Sequence, residues 1–353
     1  MSGRRSVRVL VVDDSALVRE VLSKGLALDP DISVVGQAGD PFAARDKIVE
    51  LHPDVLTLDV EMPKMDGVEF LRRLMPQHPL PVIMVSALTQ RGKKITLDAL
   101  EAGAIDFVSK PSTDIARGLS AMLSDLRQKI KMASSVNVSH WKKKATEPTR
   151  PPSQTIKALD ESTDKVVAIG ASTGGTEAIR SILTQLPANT PGVIIVQHMP
   201  PGFTKMFADR LNEQCAMSVK EAESGDRVIQ GRVLIAPGDF HMQVKRSGGT
   251  YVVECTDGEK VCGHRPSVEV MMQSVAHFVG ANAVGIMLTG MGHDGADALL
   301  AMRKAGARTL AQDEATSVVF GMPKVAHERG GVERLIPLSA IPQALLGILQ
   351  ERR

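Results

Sequence analysis

The sequence predicts a protein of the α/β class, with two domains that each contain a doubly wound, mostly parallel sheet. Three observations lead to this prediction. The chain has 353 residues, which is more than a single core usually holds. Short apolar strands alternate with helical segments in two long stretches. A polar stretch at 132–164 shows neither the residue period of a helix nor that of a strand, so it separates a first domain (1–131) from a second (165–353).

The composition is that of an ordinary globular protein. Apolar residues make up 43% of the chain and charged residues 23%, which is enough for two buried cores. A net charge of +2 provides no dedicated surface for nucleic acid. The three cysteines lack metal-ligand spacing, and no apolar run approaches the roughly 18 residues of a membrane span. We therefore expect a reduced, cytoplasmic protein without signal peptide, membrane insertion or nucleic-acid partner.

The first domain contains five short apolar runs that are typical of buried strands. Helical patterns separate these runs, so the strands should be parallel, with their carboxyl ends at one edge of the sheet. Functional residues of such folds collect at that edge. The strands are expected at 7–14, 32–37, 55–59, 82–87 and 106–109, and the helices at about 16–28, 42–51, 68–75, 93–102 and 113–132.

Polar side chains stand at the carboxyl ends of four of these strands. Asp13 and Asp14 close the first strand and Asp59 the third, while Ser86 and Lys110 belong to the ends of the fourth and fifth. Converging carboxylates repel one another unless a hard cation binds, so the pattern favours Mg²⁺. The lysine and the hydroxyl group would hold phosphoryl oxygens. Any one of these residues alone is also typical of a helix cap or a solvated group.

Together these motifs resemble those of response-regulator receiver domains, over the whole first domain. The resemblance rests on VVDD (11–14), LD (58–59), MP (62–63), DG (66–67), SA (86–87) and SKP (109–111). It implies a flavodoxin-like fold in which Asp59 accepts a phosphoryl group from the phosphohistidine of a histidine kinase. Such a carboxylate acts as a nucleophile that forms an acyl phosphate.

The same resemblance implies roles for the residues around Asp59. Mg²⁺ would be bound by Asp14, Asp59 and the backbone carbonyl of Glu61, with Asp13 supporting the site. Ser86 and Lys110 would contact the phosphoryl oxygens. Receiver domains often have a switch aromatic near the start of the fifth strand, and this sequence has Phe107 there.

The stretch at 132–164 is rich in serine, proline and lysine, which predicts a flexible connector. Its basic run at Lys142–Lys144 is typical of a solvated segment, with a docking patch as the alternative. Trp141, the only tryptophan of the chain, is a candidate anchor on another surface. The sequence leaves the roles of both features open.

The second domain returns to alternating strands and helices. Two runs at 242–244 and 251–255, joined across Gly248 and Gly249, predict a β-hairpin. The remaining strands are expected at 166–170, 193–197, 233–238, 283–289 and, as the last, 309–312; the helices are expected from about 175 and from 296, and at about 205–212, 268–279 and 341–351. This part of the chain is therefore also α/β and mostly parallel.

The first strand of this domain leads into a turn with the spacing G-x-S-x-G, at 170–174. This spacing is typical of a strand-to-helix turn that exposes a nucleophilic serine, here Ser172. The N–H groups that open the next helix, from about Gly175, would stabilise a developing negative charge. The alternatives are a turn without chemistry or a phosphate loop, although the stretch has the spacing of neither a P-loop nor a dinucleotide site.

Acyl transfer at Ser172 also requires a general base and a carboxylate that orients it. The histidines to weigh are His198, His241, His264 and His293. His198 is favoured, because it ends the strand that we expect beside the serine strand. Asp294 is favoured as the carboxylate because it follows another strand in a glycine-rich loop, and Asp239 is the second candidate.

The second domain resembles the catalytic domain of chemotaxis protein-glutamate methylesterases. The resemblance rests on STGG (172–175), VQHMP (196–200), APGD (236–239), HRPSV (264–268), LTGMG (288–292), DGA (294–296) and VFGMP (319–323). It implies a Ser172–His198–Asp294 triad with the backbone N–H of Met291 as oxyanion donor. The chain order Ser, His, Asp differs from that of α/β-hydrolases, so the likeness to them is local. His293 and Glu269 depart from the usual family residues, and neither belongs to the triad.

The two resemblances cover nearly the whole chain except the connector, and they imply a phosphorylation-activated hydrolase. It would demethylate glutamate methyl esters on the cytoplasmic helices of chemoreceptors, releasing methanol, and deamidate glutamine there. A chemotaxis histidine kinase and methyl-accepting chemoreceptors would be its partners, and ester hydrolysis would need no cofactor. The alternatives are a receiver that drives a binding module, or an esterase for other substrates. The absence of a helix-turn-helix pattern argues against DNA.

Overall fold

The computed structural model describes residues 5–87, 89–111, 115–136, 138 and 165–351, with the backbone alone at 90 and 115–117. The chain divides into two compact units between Pro151 and Pro152. Trp141 and Lys142–Lys144 lie outside the described residues, so their roles stay open. No helix among the described residues combines the length and the apolar composition that crossing a membrane requires.

The first unit is built on a five-stranded parallel sheet with the strand order β2-β1-β3-β4-β5. This is the order of flavodoxin-like doubly wound folds, which confirms the predicted fold class. The strands are β1 (Val7–Val12), β2 (Ile32–Ala38), β3 (Val55–Asp59), β4 (Val82–Ala87) and β5 (Asp106–Lys110), and the helices are α1 (Ala16–Leu26), α2 (Pro41–Leu51), α3 (Gly67–Gln77), α4 (Gln90–Glu101) and α5 (Ile115–Ala133).

Side-chain caps begin four of these helices directly above the carboxyl edge of the sheet. Ser15, Asp40, Asp66 and Thr89 each accept a hydrogen bond from a backbone N–H of the first helical turn. The central strands below them are fully buried, since β3 has no exposed residue. These four caps fix the first turns of the helices at the edge where the polar side chains were predicted.

The second unit contains a seven-stranded parallel sheet with the order β15-β14-β13-β6-β7-β10-β8, beside an antiparallel sheet β11-β12-β9. The strands are β6 (Val166–Ala171), β7 (Val193–Gln197), β8 (Ser218–Glu221), β9 (Arg227–Val228), β10 (Arg232–Ile235), β11 (His241–Ser247), β12 (Thr250–Thr256), β13 (Ala283–Met287), β14 (Arg308–Gln312) and β15 (Arg334–Ile336). The helices are α6 (Gly175–Leu183), α7 (Phe203–Gln214), α8 (Val268–Phe278), α9 (Ala296–Lys304), α10 (Met322–Glu328) and α11 (Ile341–Gln350).

The prediction that β14 is the last strand is wrong. The three-residue β15 pairs with it in parallel, and α10 lies between the two. Strands β8 and β9 were not predicted either. All three missed strands have only two to four residues, which is too few to display a period of two.

The predicted hairpin is confirmed, because β11 and β12 pair in antiparallel register up to Ser247 and Thr250. Gly248 and Gly249 form its two-residue turn, and Gly248 has a φ of +59°, which favours glycine. His241, which lies just before the predicted strand at 242–244, is the first residue of β11.

One close approach brings α8 against the serine turn. The side chain of Val268, the first residue of α8, occupies the space where a Cβ would stand at Gly170 or at Gly295. Any larger residue at either glycine would push the helix away. The amino end of α8, the end of β6 and the loop after β13 therefore meet at one place.

The beginning and the end of the second unit also meet, at the amino edge of its sheet. The Nζ atom of Lys165 donates hydrogen bonds to the carbonyl oxygens of Ile348, Leu349 and Glu351, at 3.0, 2.9 and 3.1 Å. These carbonyls belong to the last turn of α11 and have no partner within the helix. A charged lysine is well suited to this position, since it also compensates the negative end of the helix dipole.

Candidate active site

Strand register places Ser172 and His198 side by side. Strands β6 and β7 are parallel neighbours in which Ala171 lies opposite Gln197. The N–H of His198 continues this ladder by donating to the carbonyl oxygen of Ala171 at 3.2 Å. Ser172 and His198 are thus the next residues of two adjacent strands, at the carboxyl edge of the sheet.

The structure also brings His198 and Asp294 together. The Nε2 atom of His198 lies 2.8 Å from Oδ2 of Asp294, whose side chain is 1% exposed. Asp294 accepts three further hydrogen bonds, from Oγ of Ser267 (2.7 Å) and from the N–H groups of Val268 (2.7 Å) and Glu269 (3.0 Å). The carboxylate therefore sits at the positive amino end of α8.

These contacts decide the charge of Asp294. Burial alone would raise the pKa of its carboxyl group, but the hydrogen bonds from His198, Ser267 and Glu269 and the attraction to His198 lower the pKa below the usual value. Because the ionised carboxylate can only accept, Nε2 of His198 carries the proton in their shared bond.

The other ring nitrogen of His198 is thus left as the base. Nδ1 is buried and has no hydrogen-bond partner among the described residues. In the chymotrypsin-type triad the carboxylate binds Nδ1 and the serine lies at Nε2, so this imidazole uses its nitrogens in the opposite sense. An unpartnered acceptor on the residue that follows the neighbouring strand is suited to removing the Ser172 proton once the two side chains approach.

Several backbone groups fix the serine turn. The N–H of Ser172 donates to the carbonyl oxygen of Thr289 at 3.0 Å, and Nε2 of Gln197 donates to the carbonyl oxygen of Ser172 at 2.9 Å. Gly174 has a φ of +77°, so the tight turn requires a residue without a Cβ. Sequence reasoning singled out neither Gln197 nor Thr289, since both act through their neighbours in space.

Met291 lies in the loop that touches the serine. A Cβ placed on Gly290 would lie 2.8 Å from Cβ of Ser172. The Gly290 carbonyl accepts hydrogen bonds from the N–H groups of Gly321 and Met322, which anchors the loop. Within the described ranges, the N–H of Met291 makes no hydrogen bond to another backbone group. This position suits an oxyanion donor, and the role stays a prediction.

The other candidate residues have different surroundings. Asp239 forms an ion pair with Arg265, at 2.7 Å, and half of its side chain is exposed. Nε2 of His241 lies 2.8 Å from the carbonyl oxygen of Glu259. His293 is exposed. His198, in contrast, is joined to the Asp294 carboxylate.

The histidine that the sequence left aside is close to the site. The ring of His264 is stacked on that of His198, with centroids 3.8 Å apart and an angle of 11° between the planes. Ser267, which binds Asp294, belongs to the same segment. The motif HRPSV was the only sequence signal for both residues.

The first unit contains a second cluster, at the carboxyl edge of its own sheet. Carboxylate oxygens of Asp13, Asp14 and Asp59 lie within 4.8 Å of one another. Nζ of Lys110 lies 2.8 Å from Asp13 and 3.0 Å from Asp59. Three carboxylates with open positions fit a hard divalent cation such as Mg²⁺, which prefers oxygen ligands.

Burial and charge shift the pKa values in this cluster. The pKa of Asp59 is raised to about 6, mainly by burial and also by the charge of Asp13, although Lys110 opposes the shift. Burial alone would lower the pKa of Lys110, but its contacts with Asp13 and Asp59 raise it above the usual value. The lysine thus pairs with both buried carboxylates.

The remaining predicted receiver residues are Ser86, Glu61 and Phe107. The Oγ atom of the buried Ser86 is 2.7 Å from Oγ1 of Thr96. The carboxylate of Glu61 lies 3.9 Å from Nε of Arg91, whereas the prediction concerned its backbone carbonyl. The side chain of Phe107 is buried. Their roles in phosphorylation stay predictions.

The two units define a class of protein, in which a receiver is followed by an α/β unit with serine, histidine and aspartate at one sheet edge. The family model "CheB methylesterase" matches residues 167–345, and the model "Response regulator receiver domain" matches residues 9–122. The chain belongs to the CheB methylesterase family.

Relatives of the chain extend over its whole length. It is 67% identical over 350 residues to a protein-glutamate methylesterase/protein-glutamine glutaminase of Syntrophotalea carbinolica. This match covers 99% of each of the two chains. It is 52% identical to the protein of that name in Salmonella typhimurium, over 96% of each chain. Its structure is similar to the catalytic domain of Thermotoga maritima CheB methylesterase, at 39% identity and a TM-score of 0.52, over 53% of this chain and 99% of the other.

Proposed function

We propose that Ser172, His198 and Asp294 are the catalytic triad of this chain. As a member of its family, the chain is a protein-glutamate methylesterase and protein-glutamine glutaminase under phosphorylation control. The observation that carries the proposed triad is the position of His198, which stands beside Ser172 in the strand register and is hydrogen-bonded to Asp294.

In the first step, Oγ of Ser172 attacks the γ-carbonyl carbon of a methylated glutamate side chain. Nδ1 of His198 takes the serine proton, and the positive charge that forms on the ring is stabilised by Asp294. The same proton then passes to the methoxy oxygen, so methanol leaves and an acyl-enzyme remains.

In the second step, His198 removes a proton from water, which attacks the acyl-enzyme, and Ser172 regains its proton. The product is a glutamate side chain. A glutamine side chain presents the same carbonyl carbon with an amide nitrogen in place of the methoxy oxygen, so the same sequence releases ammonia. Both activities therefore need one site.

Both steps place negative charge on the carbonyl oxygen. The N–H of Met291 is the proposed donor, because its loop touches Ser172 and the group has no other backbone partner in the described ranges. Removing one such donor typically costs about 10²–10³-fold in kcat.

For the receiver, we propose that Asp59 is the phosphorylation site, with Ser86 and Lys110 as contacts of the phosphoryl oxygens. Asp13, Asp14, Asp59 and the carbonyl of Glu61 would hold Mg²⁺, which when bound neutralises charge at the transferring phosphoryl group. The close approach of three carboxylates supports this assignment. Lys110 already reaches Asp59, so its ammonium group is placed to meet the new charge.

We further propose a chemotaxis histidine kinase as the phosphodonor and methyl-accepting chemoreceptors as the substrates. The receiver and the names of the full-length relatives support both partners. For the domain limits we retain 1–131, 132–164 and 165–353; helix α5 continues to Ala133, two residues past the first limit.

Methanol release from methylated chemoreceptor membranes tests the triad. Ser172→Ala and His198→Ala should each lower the rate by roughly 10³–10⁶-fold, because triad members act as a unit. Ser247→Ala and His277→Ala are matched controls, since both residues are exposed, one beside the hairpin turn and one near the far end of α8. Substantial methanol release by either triad variant would refute the assignment.

A further inference from the structure

We propose that His264 is a positioning residue for the base: its stacked ring fixes the plane of the His198 imidazole, so that Nε2 stays on Asp294 while Nδ1 stays available to Ser172. This inference rests on the proposed triad. It assigns a role to a residue whose ring is in direct contact with that of His198.

One hydrogen bond is not enough to orient an imidazole ring. The bond from Nε2 to Asp294 holds one atom of His198, but coupled changes of the χ1 and χ2 angles can still turn the ring while Nε2 stays within hydrogen-bond distance of Oδ2. Such a turn would swing Nδ1 away from the serine while the hydrogen bond persisted. Because Nδ1 makes no hydrogen bond among the described residues, no hydrogen bond on that side of the ring fixes its angle.

The His264 ring supplies the missing constraint. Its plane is 11° from that of His198, and the centroids are 3.8 Å apart, which is the distance of direct contact between flat rings. Any large rotation of His198 out of its plane would drive ring atoms into His264. The side chain of His198 is 7% exposed, so there is little free space for it to move elsewhere.

The stacked ring is itself held by its segment. The N–H of His264 donates to the carbonyl oxygen of Val261 at 2.9 Å, and the N–H of Val261 donates to that of His264 at 3.1 Å. Three residues later, Ser267 binds the Asp294 carboxylate. The carboxylate and the stacked ring are therefore positioned by one short segment, and both act on the same imidazole.

The test compares three variants of the full chain, His264→Phe, His264→Leu and His264→Ala. Phenylalanine keeps a flat ring, leucine keeps bulk without flatness, and alanine keeps neither. We expect leucine and alanine to lower kcat for methanol release by roughly 10–100-fold, the scale of a misplaced catalytic group, with little change in KM. Phenylalanine should restore most of the wild-type kcat.

A spectroscopic readout separates positioning from a general loss of structure. The proton shared by Nε2 of His198 and Asp294 should give a far-downfield ¹H resonance, which Asp294→Asn should remove. We expect this resonance to shift or broaden in His264→Leu and His264→Ala, to persist in His264→Phe, and the melting temperature to change little in all three.

Two outcomes would overturn the inference. Wild-type kcat in both His264→Leu and His264→Ala would show that the stack has no role. An equal loss in His264→Phe and His264→Leu would show that the imidazole itself, and not its flat shape, is required. High activity in His198→Ala, measured beside these variants, would instead remove the triad on which the inference rests.

Discussion

At the scale of the residue, Asp294 is the group on which the site depends most. It is buried, it accepts four hydrogen bonds, and one of these holds the imidazole of His198. Its contribution is geometric as well as electrostatic, since an amide of the same shape would present a donor to Nε2 and favour the other tautomer.

Asp294→Asn should therefore lower kcat by about 10⁴-fold while the protein remains folded. Asp239→Asn serves as the control, because that exposed carboxylate pairs with Arg265 and not with a histidine. Initial rates of methanol release decide between them. A severe loss in Asp239→Asn with near-normal activity in Asp294→Asn would reverse the choice of carboxylate.

In the receiver, Asp59 should limit stability at neutral pH. Its pKa is raised to about 6 in the folded state, so between its ordinary value and pH 6 the folded state binds more protons than the unfolded state. The free energy of unfolding of the receiver should then fall as the pH rises through this range. Above about pH 6 the whole of this loss of stability should persist.

Asp59→Asn should accordingly stabilise the metal-free receiver at pH 7.5, by up to about 3 kcal/mol, and should have little effect near pH 4. Calorimetric unfolding at both pH values measures the difference. Asp46→Asn, at an exposed carboxylate of the same unit, is the control. Mg²⁺ should reduce the gain, because it stabilises the ionised wild type. Destabilisation of Asp59→Asn at pH 7.5 would contradict the assigned pKa shift.

Phosphorylation at the same residue gives a separate test. With Mg²⁺ present, the full chain should be labelled by a phosphorylated histidine kinase or a small phosphodonor, and Asp59→Asn should not be labelled. Removing the metal with a chelator should also prevent labelling. Persistent labelling of the variant would identify another acceptor.

Much of each site could be predicted at this scale, but only where a residue acts through its own chemistry. Ser172 was chosen for its G-x-S-x-G turn, His198 because it ends the strand expected beside the serine strand, and Asp294 because it follows another strand in a glycine-rich loop. The strand register places His198 next to Ser172, and a hydrogen bond joins it to Asp294. Ser267 and His264 act through Asp294 and His198. Their roles depend on packing between distant segments, which strand and helix periods do not reveal.

At the scale of the element, helix α8 links fold stability to the site. Ser267 is its N-cap, accepting from the N–H of Val270, and the same hydroxyl donates to Asp294. The helix therefore begins at the Asp294 carboxylate, and its dipole favours the ionised form.

Ser267→Ala should lower the free energy of unfolding by about 1 kcal/mol, the usual cost of a lost cap, and should also reduce kcat because Asp294 loses one donor. Asp40→Ala, which removes the N-cap of α2 in the other unit, should have a similar effect on stability without the loss of kcat. Denaturant unfolding and methanol release measure the two quantities. Unchanged kcat in Ser267→Ala would show that the cap and the site are independent.

The long elements were predicted well and the short ones were not. Strands β3, β4 and β7 have the predicted bounds because each is a buried apolar run bordered by polar residues or turns. Strand β15 has three residues, of which only Ile336 is buried. Its place in the sheet follows from pairing with β14, and that pairing is a tertiary property.

At the scale of the whole molecule, control of the hydrolase should depend on the tether between the units. A connector of about thirty residues keeps two domains at a millimolar effective concentration, so even a weak contact would form often. The family resemblance implies that the unphosphorylated receiver restrains the serine site. At Asp59 the phosphoryl group would carry about −1.5 to −2 charges in place of the single negative charge of the carboxylate, and this change would weaken such a contact.

Residues 165–353 alone should therefore hydrolyse receptor methyl esters faster than the unphosphorylated full chain. Phosphorylation should raise the full chain to that rate or above it. The relevant comparison is of initial rates on one receptor preparation, with Asp59→Asn as the form that cannot be switched. Equal rates for the fragment and the unphosphorylated chain would exclude restraint and leave the receiver a role in localisation.

The contact between Lys165 and the end of α11 has a consequence for where the chain ends of this unit can be placed. Because a single lysine side chain spans the gap, a linker of about three or four residues could join the two ends of the unit. New termini could then be opened at the turn between Gly248 and Gly249, where added atoms meet open space. In such a circular permutant, every strand would keep its neighbours and the triad its geometry. The receiver could then be joined to the new terminus at the hairpin. Its point of attachment could thus be changed while the fold of the catalytic unit stays the same.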